Sequence, residues 1–255
     1  MNAKTAVVTG AARGIGYAIV TRLLNDGWNV AMCDLQPTLD ENRKEIAALG
    51  SEVFVYPCDV SDENSVKNFA AEVITRFGSI HALVNNAGIG GPSTSVTETS
   101  LEDFEQVLSV NITGTFLMCK HVAPHIAREE SGRIINFGSI YGMQGVAGGA
   151  GYCASKGAVA SLTHSLALEL APKITVNTIA PGQIISQMYV ADQELLAQHN
   201  GRSLEAQLAA SRNGIPAQRQ GEGKDIANAV AWLLSPDAAY VTGQTLSVNG
   251  GVLLT

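Results

Sequence analysis

The chain has 255 residues, 46% hydrophobic and only 15% charged, a composition that builds a large buried core and excludes a disordered chain. Its formal net charge of −7 repels phosphate backbones and anionic lipid, and no Lys/Arg cluster offsets it, so neither nucleic acid nor a membrane is an expected partner. No run approaches the roughly 18 consecutive apolar residues that a membrane-spanning helix needs.

Met1–Lys4 leads directly into a β-branched run, and no secretory leader is expected. Short, almost continuously apolar runs then alternate with longer amphipathic ones. The predicted strands are Thr5–Thr9, Asn29–Asp34, Val53–Cys58, Ala82–Asn85, Arg133–Phe137, Thr175–Ile179 and Thr245–Val248. Runs that are apolar on both faces suit parallel strands covered by helices. Predicted helices lie near residues 14–26, 39–49, 62–77, 101–129, 151–171 and 225–234. Thr38 with Glu41, and Ser100 with Asp103, have capping-box spacing, and Gly27, Gly50 and Gly78 stand where helices stop. Strand–helix alternation from the first residues implies right-handed crossovers. The fold expected is a Rossmann-type doubly wound α/β domain, one parallel sheet of about seven strands with helices on both faces. One domain is expected over residues 1–255. Its long excursion at about 183–222 carries a helical patch, Asp192–Ser211, and is read as a flap over the substrate.

The first strand is followed by Thr9-Gly10-Ala11-Ala12-Arg13-Gly14-Ile15-Gly16. A glycine turn between a strand and a helix lets backbone N–H groups and a helix N-terminus approach a pyrophosphate. Asp34 ends the second strand, 18 residues beyond Gly16. A carboxylate there accepts hydrogen bonds from ribose hydroxyls and repels a 2′-phosphate, which favours NAD over NADP. Arg13 points the other way, since a guanidinium in the loop is able to pair with that phosphate. Asp34 decides for NAD, because a carboxylate facing the phosphate costs more than one exposed Arg returns.

Tyr152 and Lys156 are four residues apart, which stacks them on one helical face. A free phenol titrates near ~10 and is a poor base at neutral pH. An ammonium beside it is expected to favour the phenolate, so that the pair exchanges a proton with an alcohol or alkoxide while a hydride moves. Ser139, 13 residues upstream and just past a strand, offers a hydroxyl to the substrate oxygen. Gln144 is a candidate contact for a second substrate hydroxyl or carbonyl.

With these motifs in place the chain resembles the short-chain dehydrogenase/reductase family over essentially its whole length. The motifs carrying the resemblance are Thr9–Gly16, Asp59 after the third strand, Asn85-Asn86-Ala87-Gly88 after the fourth, Asn111, Ser139, Tyr152 with Lys156, and Pro181-Gly182 after the sixth. The resemblance implies that Asp59 and Val60 meet the adenine and that Asn86, Ala87 and Gly88 line the cofactor. It implies that Asn111 breaks its helix locally and holds a water linking Lys156 to solvent, and that Lys156 also binds the nicotinamide ribose. Beyond Pro181 and Gly182, it places Ile184 and Ser186 at the carboxamide, although the family usually has Thr where Ser186 stands. Asn249 replaces a usual Asp, which is expected to alter a C-terminal turn only.

The expected activity is an NAD-dependent interconversion of a secondary alcohol and a ketone. The C-terminal part is most similar to members acting on polyols and on acetoin- or butanediol-type compounds. The alternatives are an NADP-dependent ketone or ketoacyl reductase and a non-catalytic NAD(H)-binding regulator. His121 and His125 share zinc-ligand spacing, but Pro124 is expected to interrupt that helix, and no metal is expected. Cys33, Cys58, Cys119 and Cys153 form no C-x-x-C pair and read as free thiols of a cytoplasmic protein. The resemblance implies a homotetramer or homodimer joined through the helices carrying Asn111 and Tyr152.

Overall fold

The structure, a computed structural model, describes residues 3–35, 46, 52–126 and 131–254. Seven parallel strands form one sheet in the order β3-β2-β1-β4-β5-β6-β7. They are β1 (Thr5–Thr9), β2 (Asn29–Asp34), β3 (Val53–Pro57), β4 (Ala82–Asn85), β5 (Gly132–Phe137), β6 (Ile174–Pro181) and β7 (Thr245–Val248). The chain starts at the centre, winds outward through β2 and β3, and returns to lay β4 against the other side of β1. The direction of winding reverses between β1 and β4, which opens a crevice at their carboxyl ends.

The described helices are α1 (Gly14–Asn25), α2 (Glu63–Phe77), α3 (Leu101–Leu108), α4 (Gly114–Ile126), α5 (Ala150–Leu170), α6 (Gln187–His199), α7 (Leu204–Asn213) and α8 (Gly223–Leu234). Successive strand residues point to opposite faces, and the core divides accordingly. Val8 and Ile135 face one cluster with Leu23 of α1 and Val230 of α8, whereas Val7 and Ile134 face another with Phe69 of α2 and Val122 of α4.

The strands fall where their apolar runs lie, with ends shifted by one or two residues. Helix 62–77 starts at Glu63 because Asp62 caps it, accepting from the Asn64 and Ser65 amides, and it stops at Gly78 with φ 76°. Ser100 caps α3 by accepting from the Asp103 amide at 3.0 Å. The capping box expected at Thr38 and Glu41, Gly50, and helix 39–49 apart from Ile46 lie outside the described residues; Ile46 is helical and buried.

Three expectations need correction. The helix over 101–129 is not continuous: a π-helical segment, Ser109–Thr113, interrupts it at Asn111, the local break that the resemblance implies there, and α4 follows. Pro124 does not end that helix, which runs through it to Ile126. The patch Asp192–Ser211 is two helices, because Gly201 adopts φ 61° and Ser203 caps a new start by accepting from the Ala206 amide at 3.2 Å. In α8, the Glu222 amide donates to the Asp225 carboxylate at 2.8 Å in a capping box, starting the helix two residues earlier than expected.

Candidate active site

The crevice is shaped first by the turn after β1. Gly10 and Gly14 have φ of 62° and 58°, where a side chain is strained. A Cβ on Gly10 would lie 2.7 Å from Ala87 Cα, and one on Gly16 would lie 2.1 Å from the Gly10 carbonyl oxygen. The turn is held from below: Asn86 Nδ2 donates to the Thr9 and Gly10 carbonyls at 3.0 and 2.9 Å, and the Ala87 amide donates to Thr9 Oγ1 at 3.0 Å. Above it, α1 begins with no side-chain cap at Arg13 and no acidic residue in its first turn, so no side chain of its own takes up the helix's first amides. That cradle fits a pyrophosphate.

Asp34 caps the same loop from the end of β2. Its Oδ2 accepts from the Ala12 amide at 3.0 Å, which fixes the carboxylate beside the glycine turn. Asp59 Oδ1 accepts from the Ser61 amide and hydroxyl at 2.9 and 2.6 Å, and the Val60 side chain packs where a Cβ on Gly114 would be 2.7 Å away.

The second group lies across the crevice. Ser139 follows β5 in extended conformation, its Oγ accepts from the Tyr141 amide at 3.1 Å, and it is near enough to the Tyr152 phenol to lower its pKa. Tyr152, Ser155 and Lys156 share the inner face of α5. Lys156 is buried, its Nζ donates to the Phe137 carbonyl at 2.8 Å, and it stands 5.7 Å from the centre of the Tyr152 ring. A Cβ on Gly88 would be 3.3 Å from that Nζ and 3.1 Å from Asn111 Oδ1, so Gly88 keeps open the approach to both. Asn111 accepts from the Ile89 amide at 2.8 Å and donates to the Ile89 carbonyl and to Ser155 Oγ, each at 2.9 Å.

The electrostatics differ from the sequence expectation. Burial pushes the Tyr152 phenol up; the Ser139 hydrogen bond opposes this, and Asp192, Cys153 and Tyr141 raise it further. Burial pulls Lys156 down to about 8. The two side chains share a face as their spacing predicts, but the ammonium donates to the Phe137 carbonyl, and burial is the largest influence on the phenol. The Asn111 amide group ties Ile89 to Ser155, a structural duty that its spacing did not reveal.

The third side is built after β6. The Gly182 amide donates to the Val248 carbonyl at 3.0 Å, and a Cβ there would be 2.7 Å from Asn249 Cα. Asn249 accepts from the Gly251 amide and donates to the Leu253 carbonyl, the local turn expected of it. Ile184 forms a parallel bridge with Gly221 and buries its side chain in the core, so its own N–H and C=O point to the opposite side of that bridge. Ser186 Oγ caps α6 by accepting from the Tyr189 amide at 3.1 Å.

The first turn of α6 spans both halves of the crevice. Arg13 donates to the Gln187 side chain, a Cβ on Gly14 would be 3.7 Å from Ser186 Cβ, and one on Gly90 would be 4.0 Å from Met188 Sδ. Gly90, Phe104, Val107, Gly149 and Gly151 line a small hollow beside Tyr152. Gln144 is exposed beyond the short turn Ile140–Gly142. His121 lies away from the crevice, with Nε2 2.9 Å from Glu63 Oε1. Sequence reasoning reached Tyr141 only within a broad stretch, 140–146, expected to line the pocket, and it did not name Gln187, which the fold brings to Arg13.

Comparison with known proteins agrees with this geometry. Residues 10–253 match the family model described as enoyl-(acyl carrier protein) reductase, a short-chain dehydrogenase/reductase model. The 3-oxoacyl-(acyl-carrier-protein) reductase FabG of Staphylococcus epidermidis is 40% identical over 254 residues, covering 98% of this chain and 99% of the relative. A solved variant of actinorhodin polyketide ketoreductase with NADPH superposes with a TM-score of 0.94 at 35% identity, covering 98% of this chain and 97% of its own. NAD+-bound xylitol dehydrogenase superposes with a TM-score of 0.93 at 34% identity, covering 98% and 99%. Among the described residues no helix is long and apolar enough to cross a membrane.

Proposed function

The chain belongs to the short-chain dehydrogenase/reductase family, and from that premise we propose that it reduces a ketone to a secondary alcohol with a nicotinamide dinucleotide held along the Gly10–Gly16 turn. The observation that carries the reading is the convergence of Ser139, Tyr152 and Lys156 at the carboxyl edge of the sheet, facing the opening that Gly88 preserves.

When bound, the dinucleotide supplies the hydride. The chain does the rest. The α1 amides hold the pyrophosphate, and Asp34 accepts from the adenosine ribose. Asp59 and Val60 border the adenine, and the backbone at Ile184 with Ser186 faces the carboxamide. Ser139 donates to the ketone oxygen, and Tyr152 gives that oxygen its phenol proton as negative charge develops there. A phenol raised by burial is protonated at neutral pH, the form that reduction requires. Lys156, cationic below about 8, offsets the phenolate left behind and is close enough to Gly88 to reach the nicotinamide ribose. Asn111 acts through others, fixing the Ile89 backbone against Ser155. We read α6 and α7, within 183–222, as the cover of the substrate, and Gln144 as a contact at its rim.

The similarity to 3-oxoacyl reductases supports a 3-oxoacyl or related ketone as substrate. Asp34 supports NADH over NADPH: its carboxylate stands where a 2′-phosphate would be repelled, and Arg13 is engaged by Gln187. Asp34 and the likeness to xylitol dehydrogenase also favour a second reading, an NAD-linked polyol or diol dehydrogenase. Exposed Phe116 and Leu168 on α4 and α5, 46% and 85% accessible, support a homotetramer or homodimer, and free thiols support a cytoplasmic setting. Oxidation of NADH and NADPH with a 3-oxoacyl thioester, a diketone and a hydroxyketone tests the reading. Turnover with NADH is expected; dinucleotide binding without turnover of any of them would instead make the chain a binding module.

A further inference from the structure

Three neighbouring strands place polar side chains at one level of the sheet. Asn85 of β4 is in register with Asn136 of β5, and Asn136 with Thr178 of β6. Asn85 Nδ2 donates to Asn136 Oδ1 at 2.9 Å, and Asn136 Nδ2 donates to Thr163 Oγ1 of α5 at 2.9 Å. The Thr178 hydroxyl donates to the same Thr163 oxygen at 2.8 Å. Asn136, Thr163 and Thr178 are fully buried. One hydroxyl therefore pins the helix to two strands. The next residue on β5, Phe137, carries the carbonyl that Lys156 binds, and Ser139 follows two residues on. The residue after Asn85, Asn86, holds the glycine turn by the Thr9 and Gly10 carbonyls. On α5, Thr163 lies two turns beyond Lys156 on the same buried face. Apolar side chains of the same shape would be no less stable here, since Asn85 Oδ1 at the end of the row is buried and meets no donor among the described residues. What the row adds is a fixed register between sheet and helix, which directional hydrogen bonds impose and apolar contacts do not.

We propose that Thr163 is a positioning residue for the reaction: its hydroxyl, held by Asn136 and Thr178, sets α5 against the sheet and so aligns Tyr152 with the cofactor turn and Lys156 with the Phe137 carbonyl. Thr163 is fully buried and acts through the helix that carries it. The assignment rests on the ketone-reduction reading and adds what holds the proton donor in place. Removing the hydroxyl leaves the Asn136 amide and the Thr178 hydroxyl buried without an acceptor, so helix or strands must shift to satisfy them. Proton and hydride transfer tolerate such a shift poorly, because a displacement of about 1 Å costs on the order of 10²-fold in rate.

The test compares the full chain and its Thr163→Val, Thr163→Ser and Thr178→Val variants, with NADH and 3-oxobutanoyl-coenzyme A, butane-2,3-dione or 3-hydroxybutan-2-one. On the ketone that the native chain reduces fastest, Thr163→Val is expected to lose about 10–100-fold in kcat, with NADH affinity and ketone KM within about threefold of native. The alkaline limb of its kcat profile moves to higher pH, because water admitted beside Lys156 relieves the burial that holds its pKa at about 8. Thr163→Ser keeps the hydroxyl and recovers most of the rate. Thr178→Val removes one of the two donors and loses less, and it carries the test where Thr163→Val does not fold. Val122→Ala, a cavity in the core under α4, lowers the denaturation midpoint and leaves kcat unchanged. A kcat within about twofold of native in the valine variants that fold, or a loss that Thr163→Ser does not recover, overturns the assignment while leaving ketone reduction standing. Absence of turnover on all three ketones by the native chain overturns both.

Discussion

Lys156 Nζ lies 2.8 Å from the Phe137 carbonyl oxygen and 5.7 Å from the ring centre of Tyr152, the phenol it is paired with in sequence. A buried ammonium satisfied by one neutral carbonyl carries a desolvation cost, which is why its pKa falls to about 8. In the unfolded chain the same amine titrates near ~10.4. Between these values the unfolded state binds more protons, so stability rises with pH across that window and the penalty is full below it. Lys156→Met removes the titration. Denaturant midpoints measured from neutral to alkaline pH are expected to rise in the native chain relative to the variant, by a difference on the order of 3 kcal/mol.

Asn111 bridges three groups at once. Asn111→Ala leaves the Ile89 amide and carbonyl and the Ser155 hydroxyl without that partner in a buried setting. Chemical denaturation is expected to show a loss of about 2–4 kcal/mol. Asn111→Asp, which keeps the acceptor for the Ile89 amide, recovers part of it.

The close approach at Gly16 predicts a different failure. A methyl group there meets the Gly10 carbonyl at 2.1 Å and Asn86 Nδ2 at 2.6 Å, so the whole turn must move. Gly16→Ala is expected to weaken NADH binding by about tenfold or more, read by nucleotide fluorescence, because the α1 amides no longer converge on the pyrophosphate.

Asp34 has two separable duties. Asp34→Asn keeps an acceptor for the Ala12 amide and removes the charge, so the ratio of NADH to NADPH affinity is expected to fall by about tenfold or more. Asp34→Ala also loosens the glycine turn and weakens both nucleotides. Titrations with the two nucleotides distinguish these effects.

The glycine turn, Asp34 and the Tyr152–Lys156 face were legible because each is a local spacing laid on a strand end or a helix. So was the doubly wound sheet, since its strands are short runs buried on both faces. What local spacing did not carry is where a side chain ends up. Asn111 meets partners 22 and 44 residues away. Lys156 turns to a strand carbonyl because β5 ends beneath it. The π-helical segment at Ser109–Thr113 has no periodic signature distinct from the helices flanking it. Gly201 was readable as a helix stop, yet the apolar pattern on both sides hid it.

The proton-donating role of Tyr152 is the centre of the account, and Tyr152→Phe tests it most directly by deleting one oxygen. Ketone reduction at saturating NADH is expected to fall by about 10²–10⁴-fold, with NADH affinity changed by no more than about twofold. Turnover near the native rate in this variant would contradict the assignment.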